Sequence, residues 1–180
     1  MKRSNLMVLG ALGALFVFMT ALQVRMKGYV KEEVQRDYGK FIQNARKVSE
    51  FRAIVVGDGI QVDFEQTPQT TIRIEARENL MSFVQTEIIG ETLIIEKTKE
   101  MRGKDSVRVF ISNAHLDSLK VGPGASFTTL GAVSGEDLKL IFRGESEGDM
   151  ELNYELVQCS FSSDAEVGIT GNSKEIKFSK

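Results

Sequence analysis

DSLKVGPGASFTT (residues 117–129) and EDLKLIFRGESEGDMELN (136–153) share one plan: an apolar-alternating strand, a small or polar turn, and a second strand. YELVQCSFSSDAEVGIT (154–170) repeats the plan, and KEIKF (174–178) opens another copy. The anchors Leu119, Leu138, Leu156 and Ile176 recur at intervals of roughly 20 residues, at the short end of solenoid repeat periods. The turns are Gly122-Pro123-Gly124, Arg143-Gly144-Glu145-Ser146 and Ser162-Ser163-Asp164. A repeat of this kind, built of short strands and turns, predicts a β-solenoid in which successive coils stack and share a core. In that alignment Leu119, Leu138 and Leu156 fill one buried column, and Lys120 and Lys139 point outward, because strand side chains alternate. An antiparallel β-sandwich with evenly spaced hairpins fits the same spacing and stays open as an alternative.

Upstream, the period is also two. Ile60-Gln61-Val62-Asp63-Phe64-Glu65, Ile72-Arg73-Ile74-Glu75-Ala76 and Val107, Val109, Ile111 alternate apolar with polar, the pattern of strands with one buried face. Gly57-Asp58-Gly59 and Gly90-Glu91 break the runs, the second between Ile88-Ile89 and Leu93-Ile94-Ile95, which reads as a hairpin. Only Glu78 to Phe83 reads as a short helix in this part.

These features together resemble a known family. Val48-Ser49-Glu50-Phe51-Arg52-Ala53-Ile54-Val55-Val56 opens the domain, Gly59-Ile60-Gln61-Val62 and Gly90-Glu91-Thr92-Leu93-Ile94-Ile95 follow, and Leu119 to Ala125 gives a Leu-Lys-Val-Gly-x-Gly-Ala rung. The chain resembles the auto-transporter adhesin head GIN domain family (DUF2807) over about residues 46–180. The resemblance implies an exported, β-solenoid-like domain of the bacterial envelope and carries no catalytic residues to transfer. The later turns depart from the family pattern, with Arg143-Gly144-Glu145-Ser146 and Ser162-Ser163-Asp164 where small Gly-Ser-Gly turns are usual.

The N-terminus adds an address. Leu6 to Val24 carries no charge at any position after the basic head Lys2-Arg3. As a helix it is roughly 28 Å long, close to the hydrocarbon thickness of a bilayer. Residues 1–27 are therefore expected to be a membrane anchor, or a signal segment if cleaved; Ala21, with Met19 two residues before it, makes a poor cleavage site. Arg25, Lys27, Lys31 and Arg36 on the far flank outnumber the basic head and, counted literally, place the C-terminal side in the cytoplasm. The short basic head and the family resemblance instead place the domain outside, and that is the expectation. Residues 28–47 are charged, and Val30, Val34, Tyr38, Phe41, Ile42 and Ala45 recur at helical spacing, predicting a helical linker.

Composition narrows the function. Apolar residues make up 42% of the 180, enough for a core, and a net charge of -2 argues against a nucleic-acid partner. Cys159 is the only cysteine and His115 the only histidine, so neither a disulfide framework nor a His- or Cys-rich metal centre is expected. Ser112, His115 and Asp117 lack a nucleophile-elbow sequence; His115 reads as a loop residue and Cys159 as a small buried hydrophobe. Glu145, Glu147 and Asp149 form the densest acidic cluster but match no calcium-loop pattern, and read as a solvated turn. Gly122-Pro123-Gly124 lacks the Lys-Ser/Thr of a phosphate loop.

The expectation is thus an all-β, right-handed β-solenoid-like domain (48–180) behind an N-terminal transmembrane helix. It is expected to be non-enzymatic, without catalytic, cofactor or metal residues. The single-pass, inner-membrane-anchored chain would contact the membrane through residues 6–24 and present a periplasmic or extracellular binding or adhesion module to an envelope protein or glycan. The alternative is a bactofilin-like structural protein, a homo-oligomer assembled through solenoid edges; Ile176 and Phe178 at a weakly guarded final coil point to it.

Overall fold

A computed structural model describes residues 40–46, 48–98 and 106–179. The segment Leu6–Val24 and the linker up to residue 39 lie outside the described residues. Among the described residues no helix is long and apolar enough to cross a membrane. The domain is all-β among the described residues: one sheet of twelve strands and a single short helix, α1 (Glu78–Met81), where the sequence predicts one.

The strands β2 (Ala53–Val56) and β3 (Gln61–Gln66) begin the core of the sheet, joined by the Gly57-Asp58-Gly59 turn. Next come β4 (Thr71–Arg77), the hairpin β5 (Val84–Ile89) and β6 (Thr92–Lys97), and β7 (Arg108–Asn113). The repeat region supplies β8 (Ser118–Val121), the long strands β9 (Ser126–Phe142) and β10 (Glu147–Phe161), and the short β11 (Glu166–Thr170) and β12 (Glu175–Phe178). The N-terminal part of β9 pairs with β3, and its C-terminal part with β8. One branch of the sheet therefore runs β4-β7-β3-β9-β10-β11, and the other β5-β6-β2-β8-β9-β10-β12. The inward residues of both branches belong to one continuous apolar core.

Most of these pairings are parallel; only β4–β7, β5–β6 and the pairing of β4 with strand β1 (Phe41–Arg46) are antiparallel. An antiparallel sandwich does not give that pattern. Successive turns lie on one another. Gly122 N–H donates to Val56 O at 2.9 Å, Arg143 N–H to Val121 O at 3.1 Å and Ser162 N–H to Phe142 O at 3.0 Å. Gly122 is required there, since a Cβ would stand 2.6 Å from Asp58 Oδ1 and 3.0 Å from Val56 O.

The register corrects the repeat alignment. Ile54 pairs with Leu119, Leu119 with Leu140, Leu140 with Cys159 and Cys159 with Phe178, whereas Leu138 pairs with Val157 and Val157 with Ile176. The step from Leu119 therefore runs past Leu138 and ends on Leu140. That error of two keeps the face, and Leu138 is still buried. Leu156, which the repeat alignment stacks on Leu138, is wrong by one; it pairs with Asp137 and is only half-buried, while Val157 takes the core position. Lys120 and Lys139 are exposed, as alternation requires.

Residues 41–46 correct the helical linker. Phe41–Arg46 is strand β1, antiparallel to β4 from Phe41↔Arg77 to Arg46↔Ile72. Three apolar residues in six fit either period, and the open edge of β4 decides the outcome by supplying backbone partners along the whole segment. Arg46 adds a tether, donating to Val84 O at 2.8 Å and Thr86 Oγ1 at 2.7 Å.

Two polar groups are fastened inside. Asn113 donates to Phe51 O at 2.6 Å and His115 O at 2.8 Å, and accepts from Thr70 Oγ1 at 2.8 Å. The hydroxyl of Tyr154 donates to Leu116 O at 2.7 Å, and burial pushes its pKa up. Gly135 makes room for that ring: a Cβ there would lie 2.4 Å from Tyr154 Cε1.

Candidate ligand-binding face

Alternation along β3, β7 and β9 turns Val62, Phe64, Val109, Ile111 and Phe127 into the core. Asp63, Glu65, Arg108, Phe110, Ser126 and Thr128 therefore take the opposite face. Strand pairing lines these residues up across the sheet. One row runs Arg73–Phe110–Asp63–Thr128–Asp149–Gly168, and its neighbour Glu75–Arg108–Gln61–Ser126–Glu147–Glu166.

The two ends of the rows differ in charge: both signs are interleaved at one end, and only acidic charges stand at the other. At the β4–β7–β3 end, the guanidinium carbons of Arg73 and Arg108 stand 4.3 and 5.0 Å from the ring centroid of Phe110, within cation–π range. Arg108 also grips both carboxylate oxygens of Asp63, at 2.5 and 3.1 Å. The hydrogen bond and charge of Asp63 raise the pKa of Arg108. This fork leaves Asp63 only 6% exposed although it stands on the outer face. At the β9–β10–β11 end the face is acidic, with Glu147, Asp149 and Glu166.

Hollows lie along this face. One of about 510 Å³ is lined by Ser126, Thr128, Glu147, Asp149, Glu166 and Gly168 among others. Another of about 180 Å³ is bordered by Asp63, Glu65, Thr71, Arg73, Phe110 and Leu130. Leu130 is 52% exposed, an apolar side chain beside the charged cluster.

The residues singled out in the sequence fall as follows. Glu147 and Asp149 line the larger hollow, and Glu145 stays in the preceding turn. Among the described residues no group of three or more His, Cys, Asp or Glu side chains is arranged to hold a metal ion. Cys159 is buried in the Leu140–Cys159–Phe178 row, and burial raises the pKa of its thiol. His115 is exposed, Asp117 is engaged by Arg52 at 2.9 Å, and Ser112 faces the smaller hollow. Gly122-Pro123-Gly124 is a turn, with Ala125 N–H donating to Gly122 O at 3.2 Å.

Sequence reasoning missed Arg73, Asp63, Arg108 and Phe110 as a group. Asp63 and Arg108 are far apart in the chain and meet only through the β3–β7 register. The available signal was Phe110, an aromatic residue at an outward position between Val109 and Ile111.

Among curated proteins, none matches the chain. Solved structures share its fold. A putative adhesin from Parabacteroides distasonis is 18% identical, with a TM-score of 0.61 over 78% of this chain and 69% of that one. A putative adhesin from Bacteroides fragilis is 14% identical, with a TM-score of 0.59 over 78% of this chain and 97% of that one. A putative lipid binding protein from P. distasonis is 16% identical, with a TM-score of 0.60; the match covers 78% of this chain and 60% of that one. A family model matches residues 50–180, and the chain accordingly belongs to the family described as "Putative auto-transporter adhesin, head GIN domain" (DUF2807).

Proposed function

We propose that this chain is a non-catalytic adhesion module of the cell envelope, displayed outside the cytoplasmic membrane, and that it holds a glycan on the outer face of the β4-β7-β3-β9-β10-β11 branch. The observation that carries this reading is the Arg73–Phe110–Arg108–Asp63 cluster beside exposed Leu130 at the rim of a hollow. A sugar ring offers an apolar C–H face and a rim of hydroxyls. Leu130 suits the first; Glu65 and the guanidiniums, which Phe110 and Asp63 hold in place before the ligand arrives, suit the second as acceptor and donors. Thr128 and Asp149, with Ser126 of the neighbouring row, extend the same polar surface toward the larger hollow.

In this reading the parallel rungs from β8 to β12 form a right-handed β-solenoid, in keeping with the handedness rule for parallel β connections. Residues 1–27 anchor it, or direct its export if cleaved, and residues 28–39 link it to the membrane. Family membership supports the envelope address.

Glycan-array binding by the purified chain, repeated with Phe110→Ala and Arg73→Ala, tests the face. Binding that either substitution lowers at least about tenfold is expected, since Arg73→Ala removes a contact and Phe110→Ala the support of both guanidiniums, each on the order of 1.4 kcal/mol or more. Binding unchanged in both variants would place the ligand elsewhere. Fusing alkaline phosphatase after Lys180 tests the address: an active fusion is expected, and an inactive one with a bright cytosolic fluorescent-protein fusion would overturn it.

A further inference from the structure

We propose that β12 is a self-association edge, through which two copies of the chain pair antiparallel about a twofold axis at Ile176. Among the described residues β12 pairs with β10 alone. Lys174 N–H donates to Tyr154 O at 2.9 Å, toward β10. Lys174 precedes the strand; at its other end Ser179 N–H donates to Cys159 O at 2.8 Å, and since backbone groups alternate along a strand, Glu175 and Lys177 turn theirs toward β10 and Ile176 turns its N–H and C=O to the open side. The edge is apolar as well as unpaired: Ile176 is 41% and Phe178 72% exposed. Phe178 continues an aromatic series, 5.9 Å from Phe161, which stands 5.5 Å from Phe142. The series ends on a ring whose outer side nothing in the chain covers among the described residues.

Charge identifies the occupant as a second copy and selects the register. With the axis at Ile176, Glu175 stands opposite Lys177 of the other copy, and this happens twice. Ile176, whose backbone groups face outward, stands on the axis and exchanges two N–H···O bonds with Ile176 of the other copy. Within one copy Glu175 and Lys177 already attract at 3.3 Å, so pairing builds an alternating quartet of charges on one face. Moving the axis to Lys177 would oppose two lysines directly, which disfavours that register. The twofold arrangement closes on itself, whereas docking β12 onto the distant edges β1 or β5 of the next copy would build an open fibre. This inference concerns an edge of the other branch and does not depend on the glycan-binding face.

The test is sedimentation of the full chain in mild detergent, with far-UV circular dichroism to verify the fold of each variant. The wild type should be a dimer. Glu175→Lys should weaken association on the order of tenfold or more, because both cross-pairs turn repulsive, and Glu175→Lys with Lys177→Glu should restore it. As an independent readout, Ile176→Cys should cross-link on mild oxidation, since directly opposed residues of a hydrogen-bonded pair have Cα atoms about 5.5 Å apart, within disulfide reach. Lys177→Cys should not, because its symmetry mate lies beyond the disulfide reach of about 7 Å. A monomeric wild type, a dimer indifferent to Glu175→Lys, a charge swap that fails to restore it, species growing beyond the dimer, or no Ile176→Cys cross-link would each overturn the proposal.

Discussion

Leu140→Ala and Leu156→Ala separate the two registers of the repeat. Leu140 is fully buried, with Leu119 on one side of it in the sheet and Cys159 on the other. Truncation removes its apolar contacts and leaves a cavity that neighbours on two rungs cannot both collapse into, so a cost of about 2–5 kcal/mol is expected. Leu156 pairs with Asp137 and Glu175, outside the core rows, and is half-buried. Its truncation should cost less than about 1.5 kcal/mol, below the value for fully burying a leucine. Urea unfolding of residues 39–180, followed by far-UV circular dichroism, resolves the difference: with a slope of about 1–3 kcal/mol/M, the Leu140 midpoint should fall by about 1 M or more, and that of Leu156 by a fraction of it. Equal losses at both positions would refute the register and restore a column of Leu119, Leu138 and Leu156.

Tyr154→Phe should cost about 1 kcal/mol in the same assay by leaving Leu116 O unpaired, and Gly135→Ala about 1–3 kcal/mol by driving a methyl into the Tyr154 ring; a neutral Gly135→Ala would show that the ring is free to move aside. Arg108→Ala should cost about 1–3 kcal/mol, because nearly buried Asp63 loses both of its guanidinium donors, and an unchanged urea midpoint would count against that fork. Cys159 should resist alkylation at pH 8–9 in the native state and react only on unfolding, because burial both shields the thiol and raises its pKa, leaving less thiolate than a free cysteine has at that pH; rapid native labelling would contradict its place in the core. Melting curves with and without EDTA should coincide, and a large drop on chelation would revive a metal role for Glu145, Glu147 and Asp149.

Much of the fold was legible because alternation is local. Val62, Phe64, Val109 and Ile111 are inward as their period demands, and the Gly90-Glu91 hairpin forms where glycine supplies a φ of 63°. Rung register is different, because it depends on turn length. The loop from Val121 to Ser126 and the long course of β9 carry the first step from Leu119 to Leu140, and leucines at both 138 and 140 gave the sequence two equally apolar choices. The segment 41–46 failed for a related reason, since its period is ambiguous and an edge in another part of the chain resolves it. The acidic half of the outer face was visible as RGESEGD. The Arg73–Phe110–Arg108–Asp63 cluster was not, because three strands from separate stretches assemble it.

Strands β2 and β3 come early in the chain but lie in the interior of the sheet, β2 between β6 and β8, β3 between β7 and β9. Neither can complete its hydrogen bonding until β8 and the start of β9 have appeared far downstream, as the pairs Ile54↔Leu119 and Gln61↔Ser126 show. Such high contact order makes folding slow, and it makes folding late for a chain delivered N-terminus first. The leading part cannot close its interior strands while the trailing half is still arriving. Closure then waits for β8 and β9, so a chain cut short before about residue 130 has its two earliest strands in hand and too few neighbours to seat them.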